Sequence, residues 1–303
     1  MAKNIMNDQV TKCWMYRNAR PLDLARWEYH FENGSREAVL RAMAAYQNED
    51  GGFGHALEAD SWNPNSAPIQ TWCATELLQE IGEEDPTNPL IHGILRYLDS
   101  GRDFVDGKWT GSVPSNNDYP RAPWWGWSAE DVYDYNPTAV LAGFAIKFAE
   151  KGSRLYEKAC RIAKEAAASF LAQEEVEGHS MLCFVRMHQY CTEGGEDRIF
   201  DMGLYARKLN MHIKKKLEGM KFDGSYEENL FVLMDAYAAE VSAPEEGAKE
   251  RIAAILMEQR QADGTWDVPW SWGDYPAEWA ISRNWWMAHS IVMNTRFLAR
   301  VSK

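Results

Sequence analysis

Three stretches of the chain combine residues that could do chemistry. The first is GHALEADSWNPNSAP, which carries His55, Glu58 and Asp60 with Trp62 and Pro64 beside them. A carboxyl close to apolar and indole surface can have a raised pKa and serve as a general acid. A histidine with two acids could also hold a divalent metal. Helix capping, turn formation and salt bridging are the structural alternatives for the same residues. The second stretch is YPRAPWWGWSAEDVYDYNPTA, where Trp124, Trp125 and Trp127 precede Glu130, Asp131 and Asp134. Aromatic platforms beside acids suit a sugar ring, whose C–H face stacks on indole while carboxylates bind its hydroxyls. They also suit an isoprenoid cation, which aromatic faces stabilise. A packed tryptophan-rich loop is the structural alternative. The third stretch, WDVPWSWGDYPAEWAISRNWWMAHS, supplies Trp270, Trp272, Asp274, Tyr275, Glu278, Arg283 and His289. An arginine in mid-helix among aromatics calls for an internal carboxylate or an anionic ligand group, the plainer reading being a buried ion pair.

These stretches name the candidate site. Glu58, Asp60, Asp131, Asp134 and Asp274 are its expected acids. His55, Trp62, Trp124, Trp125, Trp127, Trp270, Trp272, Tyr275, Glu278 and Arg283 are its expected substrate-binding residues. No metal and no cofactor is expected. The chain carries no H-E-x-x-H, no G-x-S-x-G, no phosphate-cradling glycine loop and no zinc-type cysteine cluster. Glu28 and His30 could join a cavity, although a lone histidine on a helix, as at His30 or His188, is more often a satisfied core residue. The KLNMHIKKKL run reads as a solvated helix face.

Composition narrows the partners. The formal net charge of -13 repels phosphate backbones and anionic membranes, which excludes nucleic acid as an expected partner. The expected partner is a small-molecule substrate, an isoprenoid or a carbohydrate. The 14 Trp are costly to place unless each ring packs and each N–H is satisfied. No apolar run is long enough to span a bilayer and none resembles a secretory signal. Five cysteines without a C-x-x-C pair read as reduced thiols in a cytoplasmic protein.

The elements that must position these residues are helices in a repeated order. A D-G-x-aromatic motif occurs at Asp50–Phe53, Asp106–Trp109, Asp223–Tyr226 and Asp263–Trp266, with a degenerate copy at Glu177–Ser180. Asp-Gly supplies a turn with a residue at positive φ, and the spacing suits helical hairpins of roughly forty to fifty residues. Between the motifs, helical periodicity and proline-start, glycine-end punctuation mark helices over 35–47, 67–82, 88–101, 136–152, 153–173, 179–195, 197–217, 226–241, 244–261 and 276–301, with two more at the front. Helices apolar on most sides alternate with amphipathic ones, the pattern of an inner ring inside an outer ring. Six inner helices are expected from near Pro21, Ala67, Asn136, His179, Tyr226 and Pro276. Six outer helices are expected from near Asn7, Ser35, Asn88, Ser153, Asp197 and Pro244. No strand pattern of any length is seen. The expectation is an all-α fold, an α/α toroid, in one domain over residues 1–303.

QNEDGGFG resembles the Q-x-x-x-G-x-W/F turn repeat of the terpenoid cyclase and protein prenyltransferase superfamily, with Gln47, Gly51 and Phe53 at the three motif positions. RQADGTW is a second match, with Arg260 in place of glutamine. The resemblance implies an α/α toroid whose site lies in a central cavity, and isoprenoid cyclisation as the activity. The superfamily's acidic signatures, D-x-D-D, D-D-x-x-D and the zinc-binding D-x-C, are absent, so the chain resembles an outlying member with its own chemistry. The functional expectation is an enzyme acting on a small molecule in a tryptophan-lined, acidic cavity by carboxylate acid–base chemistry. A carbohydrate hydrolase or lyase of the six-hairpin type is the alternative enzyme, and a non-catalytic binding protein the alternative outside enzymes.

Overall fold

Proline sets the start of four helices, where its missing N–H costs nothing and its φ is already helical. These are α2 (Pro21–Phe31), α4 (Pro68–Glu80), α5 (Pro89–Asp99) and α11 (Pro276–Val301). Side-chain caps set four others. Asp8 caps α1 (Gln9–Asn18), Ser35 caps α3 (Arg36–Ala44), Ser153 caps α7 (Arg154–Ala172) and Glu177 caps α8 (Gly178–Glu193). With α6 (Thr138–Phe148), α9 (Met202–Gly219) and α10 (Ala248–Gln259), the described residues form a predominantly helical protein. The computed structural model describes residues 8–221, 231–232 and 247–302. Most of the helix expected over 226–241, and the motif at Asp223, lie outside them.

The described residues group into two compact units, one taking 8–45, 214–221, 231–232 and 247–302, the other 46–213. In the first, α2 packs against α3 and α11, and α11 against α1 and α10. In the second, α6 is the centre, packing against α8, α7, α5 and α4. The alternation read from the sequence is visible there. Residues 138–146 of α6 are all buried, as an all-apolar helix requires, while α7 buries only one stripe, including Leu155, Ala159, Ile162, Ala166 and Phe170.

The repeat motif divides into two kinds of turn. At Asp50 and Asp263 the backbone pattern is the same. Asn48 N–H donates to Gly52 O and Gly51 N–H to Asn48 O, just as Gln261 N–H donates to Thr265 O and Gly264 N–H to Gln261 O. The glycines have φ of 94° and 81°. The aromatic after each turn, Phe53 or Trp266, is buried. Gln47 shows why a glutamine opens the motif, since its Nε2 donates to Gly51 O and to Leu90 O, tying the turn to the first residues of α5. Arg260 does comparable work by donating to Asp8 and Thr11 of the α1 start.

The other two copies differ from expectation. Asp106-Gly107 is the tip of a two-residue hairpin joining β1 (Phe104–Val105) to β2 (Lys108–Trp109), not a turn between helices. Both tip residues have positive φ, 49° and 81°, which is the backbone that Asp-Gly hairpins adopt. Glu177-Gly178 is no turn at all, because Glu177 is the cap of α8 and accepts from His179 N–H and Ser180 N–H.

That cap has a pH signature. Burial alone would raise the Glu177 carboxyl, but the His179 ring and the two backbone N–H groups outweigh it and hold it at about 2. A lowered carboxyl stabilises the fold above its unfolded value of 4.5, and the benefit is lost as pH falls from there through about 2. Glu177→Ala should cost about 1 kcal/mol at neutral pH, as other lost side-chain caps do. Denaturant titrations at pH 7 and pH 2.5 check this, and an undiminished cost at the lower pH would contradict it.

Candidate functional site

The first expected cluster sits in a loop that one buried side chain organises. Gln70, in the first turn of α4, accepts from Leu57 N–H and donates to the carbonyls of Ser61 and Asn63. Asn63 extends the frame by donating to Ser115 and Asn116, and Asn116 donates on to Trp125 O. Main-chain bonds from Trp62 N–H to Pro120 O and from Ala122 N–H to Asp60 O join the two tryptophan loops. Within this frame Glu58 and Asp60 are buried, and Glu58 Oε2 accepts the Asp60 N–H at 2.9 Å. Trp62 is half-buried. His55 is exposed and adopts φ of 58°.

The second cluster spreads along the same unit. Trp124 stands exposed, whereas Trp125 packs with Trp72 on Ala67, Ile69 and Val113. Trp127 is held by its backbone, Asn117 accepting its N–H and donating to its carbonyl. Asp131 is exposed and accepts from Ser128 N–H and Ser112 Oγ. Asp134 accepts from Asn136 N–H and from Ser180 Oγ of α8. These are loop-closing bonds of the kind short acids make in turns.

The third cluster belongs to the other unit. Trp270 meets Trp286 edge to face at 5.4 Å, and Trp272, which is buried, meets Trp279 at 5.6 Å. Asp274 and Tyr275 are exposed, Tyr275 with φ of 52° just before α11, and Glu278 is half-buried in the first turn. Arg283 pairs with Asp267 at 2.6 Å, both side chains well exposed. The buried ion pair expected for Arg283 is therefore a solvent-facing one.

The structure draws together a different set of groups. An open groove of about 600 Å³ is lined by Asn48, Asp50, Asn65, Ser66, Arg102 and Asp103, among others. Asp50 accepts from Ser66 Oγ at 2.6 Å, from Gly52 N–H at 3.0 Å and from Arg102 at 2.6 Å. Asp103 accepts from the buried Tyr97 hydroxyl at 2.7 Å. Burial raises the Asp103 carboxyl above its ordinary range, and the Asp50 charge adds to that, against the opposing pull of Tyr97 and Arg102. The Tyr97 hydroxyl is itself pushed well up, by burial first and by Asp103 next. His55 meets this groove through Asn48, whose Oδ1 lies 2.9 Å from His55 Nε2. Asn48 also donates to Ser66.

Asp50, Tyr97, Arg102 and Asp103 are the residues that sequence reasoning passed over. Asp50 was absorbed by the turn motif. The signal for Asp103 was the Asp-Gly two residues beyond Phe104, whose preference for a tight hairpin would have placed Asp103 at the hairpin's mouth. Among the described residues no three of His, Cys, Asp and Glu are grouped as metal ligands. No helix among them is long and apolar enough to cross a membrane. None of the five cysteines forms a disulfide among the described residues.

No family model, curated protein or solved structure matches the chain.

Proposed function

We propose that the chain is an enzyme that cleaves a bond in a hydroxyl-rich, carbohydrate-like substrate held in the Asp50–Asp103 groove. The observation that carries this reading is a carboxyl with raised proton affinity, Asp103, lining one groove with a carboxyl that accepts from three donors, Asp50. A buried carboxyl with raised proton affinity beside a second, hydrogen-bonded one is the usual division between proton donor and charged partner. Asp103 would protonate the leaving oxygen, and Asp50 would accept a proton or steady the positive charge that develops on the sugar carbon. The amides of Asn48 and Asn65 and the hydroxyls of Ser66 and Ser115 supply the hydrogen bonds that a polyol needs. An open groove lined mostly by Asn, Asp, Ser and Arg residues favours a glycan over an isoprenoid, which requires an enclosed apolar wall.

In this reading the helices are the hairpins of an α/α toroid, related in architecture to the terpenoid cyclase and prenyltransferase superfamily. The shared hydrogen-bond pattern of the Gln47–Phe53 and Arg260–Trp266 turns supports that relation.

The test is a panel of neutral and acidic oligosaccharides followed by mass spectrometry for cleaved products. Cleavage is expected from the native protein and should fall at least about a hundredfold in Asp50→Asn, the usual size of a lost acid–base partner. Glu58→Gln and Asp131→Asn are the decisive comparison. They retain turnover if the groove carries the chemistry and lose it if the loop acids do. Turnover of isoprenoid substrates alone would overturn the proposal.

A further inference from the structure

We infer, on the reading of Asp103 as the acid of the groove, that Tyr97 is a positioning residue. Its buried hydroxyl fixes the acidic hydrogen of Asp103 on Oδ1, the carboxyl oxygen left to the groove. Tyr97 stands in the last turn of α5 and is wholly buried. Its hydroxyl lies 2.7 Å from Asp103 Oδ2, and among the described residues it makes no other hydrogen bond.

Both partners are held in place. The Tyr97 ring lies against the first turn, since a Cβ added at Gly52 would fall 2.9 Å from its Cδ2. The Tyr97 carbonyl accepts from Ser100 Oγ at 2.6 Å. The chain then reverses over 101–103, with Gly101 at φ of 77° and Asp103 at φ of 54°. Asp103 O accepts from Thr110 N–H at 2.9 Å. Hydroxyl and carboxyl therefore meet with little freedom to change partners.

The direction of their hydrogen bond decides where the acid carries its hydrogen. Burial first, and Asp103 next, push the Tyr97 hydroxyl well up, so the phenol keeps its hydrogen wherever Asp103 titrates. That hydrogen has one acceptor, Asp103 Oδ2. Were the acid's own hydrogen on Oδ2 and aimed at the phenol, the phenol hydrogen would be buried without an acceptor, which folded proteins avoid. A protonated carboxyl has one hydrogen for two oxygens. With Oδ2 receiving from Tyr97, the hydrogen belongs on Oδ1, which accepts no hydrogen bond among the described residues. Asp103 lines the groove, so Oδ1 is the oxygen a substrate can meet.

Tyr97 also governs how readily that hydrogen leaves. The groups facing Asp103 are Tyr97 from α5, Arg102 beside it and Asp50 from the first turn. Burial has the largest influence and raises the carboxyl, Tyr97 and Arg102 pull it down, and Asp50 raises it. A donor to Oδ2 favours the carboxylate over the acid. Tyr97 therefore aims the proton and makes Asp103 a better donor of it.

The experiment uses the intact chain with ¹³C-labelled aspartate carboxyls, titrated by NMR, the Asp103 line being the one lost in Asp103→Asn. Tyr97→Phe keeps the ring that packs on Gly52 and should raise the Asp103 midpoint by roughly one pH unit. Cleavage of the oligosaccharide panel should fall about tenfold below that midpoint with KM nearly unchanged, and the alkaline limb should move up with it. In the native protein the Tyr97 hydroxyl should give a resolved proton line that follows the Asp103 titration, a reading that needs no variant. A midpoint that stays or falls in Tyr97→Phe overturns the inference, as does full turnover in that variant or a hydroxyl line indifferent to the titration. A native protein that cleaves no oligosaccharide, while its Asp103 midpoint rises in Tyr97→Phe, supports the placing of the hydrogen and defeats the groove reading alone.

Discussion

Replacing Asp103 by asparagine should make the protein more stable at neutral pH and reduce its turnover by roughly 10²- to 10⁴-fold, the span a lost general acid produces. The two effects have one cause. Burial holds the Asp103 carboxyl above its ordinary value of 3.8, so the folded protein keeps that proton over a pH range in which the unfolded chain releases it. Through that window the native state binds more protons, and stability falls as pH rises. Above the folded pKa the whole cost is present, and below 3.8 it has vanished. Asparagine cannot ionise, so its advantage appears at pH 7 and disappears at pH 3. The substitution is otherwise mild. Asparagine tolerates the left-handed backbone at φ of 54° that Asp103 adopts, and its amide oxygen still accepts from Tyr97. Denaturant titrations of both proteins at pH 3 and pH 7, beside an activity assay, give the result. A variant that is less stable at pH 7, or one that keeps its turnover, would remove Asp103 from the role proposed for it.

The helices were legible because their punctuation is local. Pro276 and Ser153 announce helix starts through backbone chemistry that depends on no distant residue, and α11 begins and ends where the periodicity put it. Gln47 and Gly51 were legible as a turn for the same reason. The groove was not legible, because it is made by chain segments about fifty residues apart. Asp50 meets Arg102 only once α5 has folded back over the first turn, and nothing in either short stretch encodes that approach. Asp103 gains its raised proton affinity from burial, which is a property of the packed structure. The error at Asp106-Gly107 is of another kind. A local signal was present, but the repeat claimed it for a helical turn, although the same dipeptide is also the preferred tip of a hairpin. Glu58 and Asp60 illustrate the converse. Their residue types beside Trp62 suggested acid–base chemistry, and the packed loop shows in addition that Glu58 Oε2 receives the Asp60 N–H, a contact the residue types alone did not announce.

Gly51→Ala should be among the most damaging single-methyl additions in this chain, costing about 3–5 kcal/mol, the upper range for a point substitution. Two penalties coincide there. The backbone sits at φ of 94°, which a residue with a Cβ resists. The added Cβ would also fall 2.1 Å from Gly93 O, and that carbonyl belongs to the backbone of α5. A flexible side chain could swing away, but a helix carbonyl cannot move without dragging its turn. Gly101 separates the two terms. It too has positive φ, 77°, yet its added Cβ would meet nothing within 4 Å. Gly101→Ala should therefore cost only the backbone term, about 1–2 kcal/mol. The difference between the two variants, read from denaturant midpoints, isolates the close approach of the first turn to α5. Since Gln47 bonds to both Gly51 O and Leu90 O across that approach, displacing the turn also loosens the segment from which Asp50 reaches the groove. Equal costs for the two alanines would mean that the turn yields freely, and the repeat motif would then be a matter of backbone conformation alone.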